Sequence, residues 1–84
     1  MPRNRPEPVT IAGEVFELGA VYAPRNGVGN CRQLLAFEPD GEWPGGKAVT
    51  WRIGRAGGRR EPVCGTWWAR WAGERVIGAG EAGW

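Results

Sequence analysis

The chain contains no histidine and no serine, and lysine, aspartate and tyrosine occur once each, as Lys47, Asp40 and Tyr22. Without an imidazole, no hydroxyl or thiol nucleophile can be activated in the usual way and no side chain is tuned to move protons near neutral pH. With Cys31 and Cys64 as the only thiols, a four-ligand structural zinc site is excluded as well. This inventory points away from an enzyme and implies neither cofactor nor metal. Aliphatic residues and phenylalanine are also scarce, with 3 Leu, 3 Ile, 7 Val and 2 Phe among 84 residues, a level at which disorder becomes the competing reading. Two features oppose disorder: a formal net charge of only +2, and six tryptophans at 43, 51, 67, 68, 71 and 84. Burying about four indoles at roughly 200 Å² each would contribute on the order of 20 kcal/mol. The expectation is therefore a small folded unit held together by tryptophan.

The first residues, Met1 to Pro8, carry arginine but no apolar run behind it, so they do not read as a signal peptide. No stretch approaches the 18 or so apolar residues of a membrane span. A cytoplasmic location follows as the expectation, with no membrane partner. Cys31 and Cys64 are then expected to be reduced, as small buried hydrophobes; the alternative is a disulfide between them or between two copies of the chain.

Along the chain, residues 1–8 read as a flexible N-terminal arm, residues 9–77 as one small β domain and residues 78–84 as a flexible glycine-rich tail. From Val9 to Tyr22 the apolar positions alternate, which fits two strands broken near Ala12-Gly13. Pro24 to Asn30 is dense in turn formers, and its Asn26-Gly27 pair favours a hairpin. Cys31 to Glu38 reads as a strand, and Pro39 to Gly46 as a loop. Ala48 to Ile53 is the clearest strand, with Val49, Trp51 and Ile53 alternating with Ala48, Thr50 and Arg52. Gly54 to Arg60 reads as a flexible basic loop. Cys64, Trp68 and Trp71 then fall four and three apart, a helical spacing, with Thr66 placed to cap that helix and Gly73 to end it. Residues 75–77 add a last strand. The fold expected is mostly β, a small SH3-like twisted barrel or sheet of four to five short strands with one short helix in the C-terminal half.

The charge is unevenly divided: residues 1–46 hold 4 basic and 6 acidic groups, residues 47–84 hold 7 basic and 3 acidic. Lys47, Arg52, Arg55, Arg59 and Arg60 follow one another with no acid among residues 47–60. Such a cluster suits phosphates or an acidic protein surface, and it equally suits a solvated hairpin that keeps the chain soluble. With so few aliphatic residues, Trp51, Trp68 and Trp71 are assigned to the core. Trp67, about 100° from Trp68 on a helix, and the loop residue Trp43 remain as exposed anchors. Glu38, Asp40 and Glu42, spaced by two, lack the further ligands of a calcium loop and fit a turn instead.

The succession Val49-Thr50-Trp51-Arg52, a basic glycine loop, Val63-Cys64 and Trp67-Trp68-Ala69-Arg70-Trp71-Ala72 resembles small phage- and prophage-encoded accessory proteins. That resemblance implies an SH3-like small barrel and, for some proteins of this kind, an anti-CRISPR inhibitor that docks on a host CRISPR effector complex and occludes a functional surface. No functional residue carries over from it. A DNA mimic would be strongly acidic; this chain is slightly basic, so an inhibitor of this kind would meet an acidic surface or use a shape-complementary patch. The expected function is non-enzymatic binding to a host protein or nucleoprotein complex through Arg52, Arg55, Arg59, Arg60, Trp43 and Trp67. The first alternative is a nucleic-acid-binding module using the same loop and an exposed Trp. The second is a virion structural or assembly protein, dimerising along an edge strand near Val9 or Val76.

Overall fold

A computed structural model describes residues 7–77; the first six residues of the expected 1–8 arm, and the expected tail over residues 78–84 with Trp84, lie outside the described residues. Seven strands and one helix follow in the order β1 (Glu7–Ile11), β2 (Glu14–Leu18), β3 (Val21–Pro24), β4 (Arg32–Glu38), β5 (Lys47–Gly54), β6 (Gly57–Cys64), α1 (Gly65–Trp71) and β7 (Ala72–Ile77). The chain is mostly β, as expected, but richer in strands than the four or five expected. Strand β1 also takes in Glu7 and Pro8, ahead of the expected start of the domain.

Strands β1 and β2 form an antiparallel hairpin closed by Ala12 and Gly13, whose φ of 50° and 85° are both positive. This is the mirror-type turn whose twist matches the flanking strands. The other strands form an antiparallel sheet in the order β6-β5-β4-β3-β7, so the described residues make two sheets and not one closed barrel. Gly19 N–H donates to Leu34 O at 2.6 Å and Leu34 N–H to Ala20 O at 3.0 Å, which ties the end of the hairpin to the larger sheet.

The core lies where the hairpin and α1 cover one face of that sheet. Trp68 is fully buried and meets Phe16 and Tyr22 edge-on, with ring centres 5.7 and 5.6 Å away; Phe16 and Tyr22 are themselves 5.5 Å apart. Ile11, Ala20, Leu34, Ala48, Ala69 and Ala72 complete the cluster. The small residues are a consequence of the large one. An indole between sheet and hairpin leaves room only for Ala48 and Thr50 on the inward face of β5, both fully buried. Trp51 therefore cannot be on that face. It stands on the outer side of the sheet, 37% exposed, which corrects its assignment to the core. Trp71 is half-buried at the edge of the cluster.

Residues 54–60 are not a flexible loop. A two-residue turn, Arg55-Ala56, joins β5 to β6, and the pairing runs without interruption from Gly54 opposite Gly57 to Lys47 opposite Cys64. Gly58 is required there, because the Trp51 indole lies across it where any Cβ would stand. The helix also differs from expectation. Its N-cap is Cys64, with no side-chain cap, and Thr66 does not serve. The first helical N–H groups bond to the preceding loop instead: Gly65 N–H to Gly46 O at 2.7 Å and Thr66 N–H to Pro44 O at 3.1 Å. At the other end Ala72, not Gly73, follows the last turn. There the Arg25 guanidinium donates to Ala69 O at 3.1 Å and to Ala72 O at 2.9 Å, satisfying carbonyls that helix geometry leaves open.

Both thiols are free and half-buried. Cys31 accepts a bond from Ile53 near one end of β5, whereas Cys64 lies opposite Lys47 at the other. Six residues of strand, about 20 Å, separate those positions, so an intramolecular disulfide does not fit this fold.

Candidate docking face

Register fixes which side chains share a face, because directly opposed residues of an antiparallel pair point the same way. Arg32 lies opposite Arg52, and Arg52 opposite Arg59, so these three arginines form a row across β4, β5 and β6. The row continues the inward face beyond the core, toward the hairpin tip. Arg60 lies opposite Trp51 on the outer face, and Arg55 occupies the turn. The four arginines expected to act together thus surround the tip of one hairpin: Arg52 and Arg59 on one side, Arg60 on the other, Arg55 at the end.

All four are exposed, and none forms an ion pair among the described residues. Arg32, by contrast, is engaged within the fold. Its guanidinium donates to Thr50 Oγ1 at 3.1 Å and pairs with Glu61 at 2.7 Å, while Thr50 Oγ1–H donates to Glu61 O at 2.7 Å. The Arg32 hydrogen bond holds the Glu61 carboxyl below its usual range, and the fields of Arg52 and Arg59 add to the effect. One carboxylate serves this whole row of cations. Among the described residues the hairpin therefore retains an excess of positive charge.

Trp67 is 41% exposed, as its helical position predicts, and stacks on Trp71 with ring centres 5.7 Å apart and planes 14° from parallel. The Arg32 guanidinium lies 5.1 Å from the centre of the Trp67 ring and 5.7 Å from that of Trp71. Arg32 thus links the aromatic pair to the arginine row, making one continuous face of Trp67, Trp71, Arg32, Arg52 and Arg59. Trp43 is not part of it. That ring lies half-buried beside Lys47, whose Nζ is 5.9 Å from its centre. The length of β5, about 23 Å, separates this end of the sheet from the hairpin tip. In the same loop Asp40 Oδ1 accepts from Glu42 N–H at 2.9 Å, a local turn, and no cluster of three or more potential metal ligands occurs among the described residues.

Two participants escaped the sequence reading. Arg32 was hidden because it lies outside the 47–60 cluster. Trp51 was legible in the alternation of β5, but its size argued for the core. On the outer face it walls a half-open groove of about 490 Å³ lined also by Gln33, Leu35, Ile53, Gly54, Gly57 and Gly58. A register shift between Leu34 and Ala36 leaves Leu35 as an extra residue, 38% exposed on that side.

Comparison of the chain with protein-family models, with curated proteins and with solved structures finds no match. No helix among the described residues is long and apolar enough to cross a membrane.

Proposed function

We propose that this protein is a non-enzymatic binding protein that docks the tip of the β5–β6 hairpin, with Trp67 beside it, on an acidic surface of a host macromolecular complex. The observation that carries this reading is the set of four exposed arginines that form no ion pair among the described residues, on a fully paired hairpin. Arginine and tryptophan are the residue types that dominate binding hot spots, and here they are carried on a fully paired backbone. In its specific form the proposal is an anti-CRISPR-type inhibitor acting in the host cytoplasm, on a fold of the open SH3-like kind. The resemblance of the 49–72 segment to phage-encoded accessory proteins supports that form.

A second reading, a nucleic-acid-binding module, is favoured by one observation: the Trp67–Trp71 stack is continuous with Arg52 and Arg59, a combination that suits bases and phosphates. One titration separates the two. Purified CRISPR effector complexes are assayed for target DNA binding with increasing protein, in parallel with gel shifts of single- and double-stranded oligonucleotides alone. Inhibition by the native chain, lost when Arg52, Arg55, Arg59 and Arg60 are all changed to Ala, supports docking. A shift of the oligonucleotides alone that fades steeply with salt selects the second reading. Inhibition retained by the quadruple variant overturns the hairpin assignment.

A further inference from the structure

The edge of the larger sheet at β6 has a direction-specific set of main-chain groups that make no hydrogen bond among the described residues. Ile53 N–H donates to Cys31 O at 3.0 Å, so Ile53 turns its main chain toward β4 and away from β6. Its partner Gly58 is therefore a non-hydrogen-bonded position of the β5–β6 ladder, and its N–H and C=O point outward from the sheet. The two-residue period carries the same orientation to Arg60 and to Pro62. Pro62 supports the assignment: a residue without N–H fits inside a paired strand where its nitrogen faces away from the neighbour. The open edge thus offers donor and acceptor at Gly58 and Arg60 and ends at Pro62, which offers a carbonyl alone.

Two observations determine what such an edge accepts. Arg59 and Arg60 project to opposite faces of β6, and neither forms an ion pair among the described residues, Arg59 acting on Glu61 only through its field. The Trp51 indole lies over Gly58, so the outer face presents an apolar ring beside the strand edge, at the rim of the groove lined by Trp51 and Ile53.

We propose that the β6 edge is a strand-addition site for an extended acidic peptide segment of a protein partner. Antiparallel to β6, the peptide places an acidic residue opposite Arg60, an acidic residue opposite Arg59 and an apolar residue opposite Gly58, whose side chain packs on the Trp51 indole that covers this glycine, at the rim of the groove. Main-chain bonds to Gly58 and Arg60 supply affinity; the two charges and the groove supply selection. The inference rests on the docking reading above and assigns it a partner chemistry.

The test uses the full chain and fluorescein-labelled octapeptides read by anisotropy: one with a central Glu-Glu-Leu, one with Lys-Lys-Leu and one with Glu-Glu-Gly. The expected order is binding of the first, weaker binding of the third and none of the second. Two variants separate main chain from charge. Arg60→Ala removes the cation; Arg60→Pro removes the cation and the outward N–H, with no bond to β5 broken. Binding by Arg60→Pro is expected to be weaker than by Arg60→Ala by roughly tenfold, the effect of a lost main-chain hydrogen bond. Hydrogen exchange at the Gly58 and Arg60 amides is expected to slow when the first peptide binds. Equal affinity of the two variants with unchanged exchange overturns strand addition. If the quadruple Arg→Ala variant still loses inhibition in that case, the hairpin reading survives alone. Binding of a dT20 oligonucleotide with no binding of the acidic peptide overturns the proposal in favour of nucleic acid.

Discussion

Trp68 is the residue on which the interior depends, and two substitutions there dissect why. It is fully buried, in edge contact with Phe16 and Tyr22, and its Nε1–H has no acceptor among the described residues. Trp68→Ala removes the centre of the aromatic cluster and should cost about 3–5 kcal/mol. A chain of this length has a total stability of about 4–13 kcal/mol, so the variant is marginal or unfolded at 25 °C. Trp68→Phe removes roughly 40 Å³ of side chain, a cavity cost of about 1 kcal/mol, with a lost transfer contribution of about 1 kcal/mol. It also removes a buried donor left unpaired within the fold, which returns about 1–3 kcal/mol. The two sides nearly cancel, and Trp68→Phe is expected within about 1 kcal/mol of the native chain. Urea unfolding followed by far-UV circular dichroism reads both variants, with Trp51→Ala as a control expected to cost no more than about 1 kcal/mol. A Trp68→Phe loss as large as that of Trp68→Ala would refute the argument about the indole N–H. A Trp51→Ala loss of that size would refute the placement of the core.

Three further outcomes follow from particular groups. Burial raises the Tyr22 phenol above its ordinary value of 10.0, although the Glu17 N–H donated to its oxygen at 2.8 Å acts the other way. The associated stability is complete below about pH 10 and is lost as pH rises through the folded-state value. Tyr22→Phe should flatten that alkaline loss in a pH series of melting curves. Glu61 is held below its ordinary 4.5 by Arg32, so its contribution is present above that value and disappears as pH falls through the lowered one. Glu61→Gln should remove this component of acid unfolding while leaving the alkaline side unchanged. Ala12, at a φ of 50°, occupies a conformation that costs a residue with a Cβ. Ala12→Asn should raise stability by about 0.5–1 kcal/mol, read as a higher urea midpoint at constant slope.

The sequence showed the elements whose signals are local. The Ala12-Gly13 break, the alternation of β5 and the helical spacing of Trp68 and Trp71 all correspond to what the chain forms. Features set by tertiary packing were not legible. Gly54 to Arg60 has the composition of a loop, yet all of it but the Arg55-Ala56 turn is strand, because β5 supplies a full ladder and Trp51 needs the space over Gly58. Thr66 had the right chemistry for a cap, yet the Pro44–Gly46 main chain had already satisfied the helix N-terminus. Trp51 and Trp68 cannot be distinguished by residue type; only the small Ala48 and Thr50 opposite the core reveal which indole lies inside. On the docking face, the exposure of Trp67 and of the four arginines was legible, whereas the role of Arg32 and the separation of Trp43 from the tip depend on register.

The most direct measurement is urea unfolding of the quadruple Arg52, Arg55, Arg59 and Arg60 to Ala variant at low ionic strength. Removing these cations relieves their mutual repulsion and forfeits only the solvent-screened pull of Arg52 and Arg59 on Glu61, so the midpoint should equal or exceed that of the native chain. A loss of more than about 1 kcal/mol would show that they stabilise the molecule itself, contradicting their assignment to a surface held for a partner.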